Sequence, residues 1–360
     1  MISRRILTGF ATPLIISVLG ASCASAPTRA PTAKVAPAME TVAVASVNAD
    51  AADDPAIWAA PAGARARFAG REVDGFVLGT DKKAGLYAYA LDGSVLQFLP
   101  DGLLNNVDLR ADVMVDGRPQ VLIGASDRGR MGVALYLFDP ASTDPANAIR
   151  PWGLIKSDLG EPYGFCLGRR GDVVSAVLVG KDGQVRQYRI TDDAGAPKGV
   201  EERRFAVGSQ SEGCVVDDVA GKLYVGEEAK GVWTYGFDPA AGNAREQLAP
   251  MDKSLLVADV EGTTLMRDGA ASYVIVSSQG DSAFAVWRVD GPAPAYAGRF
   301  EVVAANGVDA ISGTDGLDAW SGPIGAYPEG LLVIQDDENE GRAQNFKFVD
   351  WREVKRALRL

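Results

Sequence analysis

The chain has 360 residues, 47% of them hydrophobic, enough for one large domain or two small ones with a sizeable core. Its formal net charge of -11 argues against nucleic acid as a partner. Histidine is absent, which excludes imidazole bases, His–Asp nucleophile systems, phosphohistidine intermediates and most zinc or iron sites.

Residues 1–26 read as an export signal. Arg4 and Arg5 form a basic start, Ile6–Leu19 an apolar core, and small residues follow. SRRIL resembles a twin-arginine signal without the rest of that motif. Cys23, after Gly-Ala-Ser, offers a lipid attachment site whose leucine lies one position too far upstream. The expected location is therefore periplasmic or secreted, with a membrane-anchored lipoprotein as the alternative. Residues 27–46, rich in Ala, Pro and Thr, read as a flexible tether. Beyond the signal only Cys166 and Cys214 remain. Export permits a disulfide between them; the expectation adopted is two buried free thiols.

The body, 47–360, reads as short β-strands punctuated by Gly, Asp and Asn. The only helical pattern is the C-terminal WREVKRALRL. One hairpin recurs: an apolar strand, a polar loop and an alternating strand with aromatics. It begins at Val77 (VLGTDKKAGLYAYAL), Val121 (VLIGASDRGRMGVALYLF) and Val177 (VLVGKDGQVRQYRI). It returns at Leu223 (LYVGEEAKGVWTYGF), Tyr273 (YVIVSSQGDSAFAVWRV) and Leu331 (LLVIQDDENEGRAQNFKFVDW). Spacings of roughly 45 to 60 residues match four-stranded propeller blades. The fold class is all-β, a six-bladed β-propeller with four-stranded antiparallel blades.

A second series precedes the first. DDPAIW carries Asp53 and Asp54; NNVDLR carries Asn105, Asn106 and Asp108; EPYGF carries Glu161. SEGC carries Glu212, VEGT carries Glu261 and TDGLD carries Asp315. If each acid opens the innermost strand of its blade, alternating strand direction brings the following hairpin back to the same face. Glu212 and Glu227–Glu228 then meet after one excursion down and up. A lone acid in a turn is ordinarily a solvated turn residue; six acidic or amide positions in register with six polar hairpins are a pattern.

Acids crowded around a propeller's narrow channel repel one another and need a cation. Carboxylates, amides and carbonyls suit a hard cation, and the irregular spacing favours calcium over magnesium. The hairpins of blades one to three add Lys82, Lys83, Arg128, Arg130 and Lys181. Beside an acid cluster holding several calcium ions these cations make an anion site, with phosphate the expected ligand. The rim is expected to be basic over blades one to three and acidic over blades four to six.

These motifs, with TDKKAGLYAYALDG, QSEGCVVDD, LYVGEE, DVEGTTL, SSQGDSAFAVW, TDGLDA and QNFKFVDW, occur in family order over about residues 50–351 and resemble the β-propeller phytases. The resemblance implies a monomeric, calcium-dependent 3-phytase-type enzyme. It would hydrolyse myo-inositol hexakisphosphate by direct attack of calcium-bound water, without a covalent enzyme intermediate. Matching by motif, Lys82, Lys83, Arg128, Tyr163 and Lys181 look like the phosphate-gripping positions, and Tyr163 joins Glu212, Glu228 and Glu261 as catalytic. Those three glutamates look like the catalytic-calcium ligands. Further calcium positions look like Asp54, Asn106, Asp108, Glu161, Asp259, Asp315, Asp336 and Asn345. There are departures: Asp81 stands where the family usually has Asn, SEG replaces TEG, and AKG after Glu228 lacks a further acid. A calcium-dependent propeller lactonase and a non-catalytic, calcium-stabilised propeller are the alternatives. A lactonase, with a neutral or singly charged substrate, has no use for the basic cluster.

Overall fold

The computed structural model describes residues 29–47 and 50–360. The expected export signal, residues 1–26, and Cys23 within it lie outside the described residues. The chain forms six four-stranded antiparallel sheets, each built outward from an innermost strand. The innermost strands are Ala52–Ala59, Leu104–Val115, Pro162–Arg170, Ser211–Asp217, Val260–Asp268 and Leu317–Ser321, and they touch one another in a closed ring. This is the expected six-bladed propeller.

Each second strand pairs antiparallel with the first, so its end returns to the first strand's start. Ala52 pairs with Asp81, Ser211 with Glu227 and Val260 with Ser278. The motif at the start of every inner strand and the following hairpin loop therefore share one face. The second strands are apolar on both faces because each is covered by a neighbouring blade, as in Gly75–Asp81 and Leu331–Ile334. The core is thus a series of layers between blades. Trp58 and Phe76 of blade one, for example, meet Phe138 of blade two at ring-centroid distances of 5.5 and 5.2 Å.

The segment expected to be a tether is part of the fold. Ala33–Val35 adds a parallel fifth strand to blade five, against Phe300–Val302. Met39–Glu40 supplies the outermost strand of blade six, against Phe348 and Lys347. Strand pairing is made by backbone groups, so an Ala- and Pro-rich composition did not prevent it. The C-terminal helix, Trp351–Leu358, is capped by the Asp350 carboxylate, which accepts from the Arg352 N–H at 2.9 Å. It buries Trp351 and Val354 against blades five and six. No helix among the described residues is long and apolar enough to cross a membrane.

Candidate active site

The inner strands do not pair regularly at their starts. In blade four, pairing passes from Ser211–Glu227 to Cys214–Val225, so Glu212 and Gly213 stand in a β-bulge. The same step skips Tyr163 and Gly164 in blade three, Glu261 and Gly262 in blade five, Asp53 and Asp54 in blade one, and Asn105 and Asn106 in blade two. A bulge frees two residues from the ladder and re-aims their side chains. The first residue of each doublet forms one ring of equivalent positions: Asp53, Asn105, Tyr163, Glu212, Glu261, and, in the turn entering blade six, Asp315.

The second residue sets the spacing. A Cβ on Gly164 would lie 2.0 Å from the Glu212 carbonyl oxygen, one on Gly213 2.2 Å from that of Glu261, and one on Gly316 2.5 Å from that of Asp53. The Gly262 N–H donates to the Asp315 carbonyl at 2.7 Å. Backbone lies on backbone from blade three round to blade one, a separation only glycine allows. Glu212, Glu228 and Glu261 consequently each present a carboxylate oxygen within 4.8 Å of the others, and all three are buried.

Burial, then the charge of Asp53, raises the Glu212 carboxyl well above the usual range. Burial, then Glu212 and Glu228, does the same to Glu261. Glu228 is pushed up to about 7, chiefly by burial. Glu228 Oε1 and Glu261 Oε2 are buried without a hydrogen-bond partner. Buried carboxylates are costly unless paired, and a set of unpartnered oxygens in a histidine-free site fits a hard divalent cation such as calcium.

The basic groups sit closer to the acids than expected. Blade one adjoins blade six in the ring, so Lys82 Nζ reaches Asp315 Oδ2 at 2.8 Å and Asp53 Oδ2 at 3.1 Å, and also contacts Asp50. Burial opposes its charge, but Asp53, Asp315 and Glu212 outweigh burial and hold its pKa above that of an ordinary lysine. The rim is therefore not divided into a basic and an acidic half. Lys83 Nζ lies 3.5 Å from Asp50. Arg128 lies 3.9 Å from Glu161, donates to the Lys82 carbonyl at 3.4 Å, and keeps a buried, unpartnered Nε. Lys181 Nζ lies 5.1 Å from the centre of the Tyr163 ring. Burial and Glu212 raise the Tyr163 hydroxyl pKa, so it stays protonated. Arg130 is occupied by Asp127 and by Asp101 at 2.7 Å.

Asp315 is raised to about 6 by burial, against the pull of Lys82, and accepts from Gln279 Nε2 at 2.7 Å. The negative charge of Asp259 acts on Glu228. Glu161 is at the rim. Asp54 and Asn106 occupy the second, glycine-like slot. Asp54 turns into the channel and accepts from the Val107 N–H at 3.0 Å; Asn106, its amide oriented to satisfy its neighbours, donates to Glu212 Oε1 at 3.1 Å. Asp53 and Asn105 also face the cluster: Asp53 lies 3.1 Å from Lys82 Nζ, and Asn105 Nδ2 lies 2.5 Å from Glu212 Oε1. From these two doublets the sequence pattern names Asp54 and Asn106 as calcium positions and assigns no role to Asp53 and Asn105.

Three of the expected calcium positions lie outside the glutamate cluster, and the expectation of free thiols is corrected. Asp108 is in the channel, paired with Arg110 at 3.0 Å and with the Leu167 N–H at 2.8 Å. Asp336 and Asn345 are at the outer hairpin of blade six. Asp336 is neutralised by Lys347 at 2.5 Å, and Asn345 donates to Glu40 at 2.9 Å. Cys166 and Cys214 are not free thiols: their strands lie side by side with Cα atoms 5.7 Å apart, and they form a disulfide.

The Phytase family profile matches residues 3–359. The chain belongs to the Phytase family. The 3-phytase of Bacillus subtilis (strain 168) is 34% identical over 336 residues, covering 90% of this chain and 85% of that protein. Among solved structures, a calcium-binding protein, regucalcin, from Agrobacterium tumefaciens superposes on this phytase with a TM-score of 0.52 at 15% identity, covering 89% of this chain and 97% of that one. That likeness concerns the fold alone.

Proposed function

We propose that this phytase hydrolyses the phosphate monoesters of phytate at the mouth of its central channel, with calcium held by Glu212, Glu228 and Glu261. The observation that carries the calcium reading is the convergence of three buried glutamates, two of which, Glu228 and Glu261, keep an oxygen without a hydrogen-bond partner. Calcium, when bound, neutralises phosphate charge and acidifies water. The chain's own residues do the rest. Lys82 keeps its proton throughout the working pH range and supplies a fixed positive charge beside Asp53 and Asp315. Arg128 and Lys181, on neighbouring hairpins beside the glutamates, are positioned to hold phosphate oxygens. Tyr163 presents a protonated hydroxyl beside Glu212 and anchors Lys181 over its ring.

Phosphate release from phytate, measured with added calcium and with excess chelator, tests the reading. Turnover should depend on calcium and return when the chelator is saturated; equal rates in both conditions would overturn the calcium assignment. We further infer an exported, monomeric enzyme. The signal-like residues 1–26 support export, as does a disulfide, which persists in oxidising compartments. Cell fractionation with Cys23→Ala separates a free from a lipid-anchored form, and gel filtration tests the monomer.

A further inference from the structure

The disulfide lies at the base of two bulges. Cys214 follows Glu212 by two residues, and regular pairing resumes at Cys214–Val225. Cys166 follows Tyr163 by three, one residue after pairing resumes at Phe165–Leu178. The bond therefore joins the peptides that carry Tyr163 and Glu212. Just above it, the bare face of Gly164 rests on the Glu212 carbonyl. A covalent and a steric contact thus fix one joint of the ring together. Other joints are held by hydrogen bonds, such as Gly262 N–H to Asp315, Val107 N–H to Asp54, and the Ser126 hydroxyl to the Tyr163 carbonyl at 2.5 Å.

Glu212 is also the member of the cation cluster that this joint carries: one of its carboxylate oxygens lies within 4.8 Å of those of Glu228 and Glu261. We propose that the Cys166–Cys214 disulfide is a positioning clamp that keeps Glu212 in its cation-binding place before the cation arrives, and so raises the affinity of the cluster for calcium. The clamp rests on the calcium reading above. Its physical basis is preorganisation: a group held in its bound geometry by a covalent tie need not be ordered by the ligand.

The experiment compares calcium-stripped oxidised protein, the same protein reduced with a phosphine under native conditions, and the Cys166→Ala/Cys214→Ala variant. Reduction leaves both sulfur atoms in place, so it isolates the cross-link from packing and serves if the variant fails to fold. Peptide mapping without reductant should recover the Cys166–Cys214 pair. Calorimetric calcium titration below all melting temperatures should show about tenfold weaker binding when the cross-link is absent. The calcium concentration for half-maximal phytate turnover should rise by the same factor, with kcat at saturating calcium changed less than about twofold. Unchanged calcium affinity with only a lower melting temperature would overturn the clamp and leave a structural brace. Two free thiols in the native protein would overturn it outright. Absence of calcium binding in every form would overturn the calcium reading and the clamp with it.

Discussion

The joints from blade three round to blade one differ in kind from the two that flank blade two. From Gly164 to Gly316, each inner strand presses a glycine onto the carbonyl of the next doublet. The doublets of blades one and two hold Asp54 and Asn106 where the other four hold glycine, and the joints that flank blade two are made by side chains: Asp54 to the Val107 N–H, and Ser126 to the Tyr163 carbonyl. The first region carries Glu212, Glu261 and Asp315 on short reach from the backbone. The second carries Lys82, Lys83, Arg128 and Lys181 on long arms. Like charges can be gathered only by a frame that cannot yield, whereas cations that meet a mobile substrate can be delivered by flexible side chains.

The comparison is broken most severely by Gly213→Ala. Its Cβ would lie 2.2 Å from the Glu261 carbonyl, so blades four and five must separate. Phytate turnover should fall by about a hundredfold or more, with a clear loss of melting temperature. The corresponding change in the other region, Asn106→Ala, should be far milder in a side-by-side assay. If Gly213→Ala retains near-normal turnover, the tight frame is not what spaces the acids.

Glu228→Gln removes charge while keeping shape. Turnover should drop by about a hundredfold. Metal-free protein should melt at the same temperature or higher, because one member of a repelling trio is gone, and the stabilisation added by calcium should shrink. Paired thermal curves with calcium and with chelator give the answer.

The frame also predicts an unusual pH dependence. Glu228 and Asp318 are pushed up to about 7 and Asp315 to about 6, each chiefly by burial. In the unfolded chain these groups ionise near 4. The folded state therefore binds more protons between those values, so metal-free stability is highest at the acid end and declines as pH rises through about 7. Calcium should flatten or reverse that slope by stabilising the ionised forms of the glutamates. Melting temperatures from pH 5 to pH 8 with and without calcium would show it; parallel curves would mean that no cation meets the cluster.

The smallest effect belongs to a long arm. Lys181→Ala should lower kcat/KM for phytate by about tenfold, and for p-nitrophenyl phosphate by less, since a simple monoester has no neighbouring phosphate to hold. Calcium-dependent stabilisation should be unchanged. By contrast, Lys82→Met should alter it, because Lys82 is embedded between Asp53 and Asp315.

The blade count was legible because apolar hairpins and acidic openings recur at propeller spacing, and the phytase resemblance followed from the motifs in order. What escaped sequence reading depended on distant partners or on register. A bulge aims Asp53 at Lys82 and Asp54 at the Val107 N–H, and no composition distinguishes the members of such a doublet. Asp108 and Asp336 look like available carboxylates until Arg110 and Lys347 are seen beside them. The disulfide joins cysteines 48 residues apart, and only the packing of two inner strands brings them together.

The strands Ala33–Val35 and Met39–Glu40 have a kinetic consequence. Glu40 meets Asn345 across 305 residues of chain, and blade six lacks its outermost strand until that meeting occurs. Synthesis delivers these early residues long before their partners, so their edges must wait unpaired while five blades form. Closure between such distant segments is slow, and it should appear as a late folding phase that vanishes when Ala33–Glu40 is deleted. Until that phase is complete, the exposed edge of blade six is an open invitation to pair with another chain.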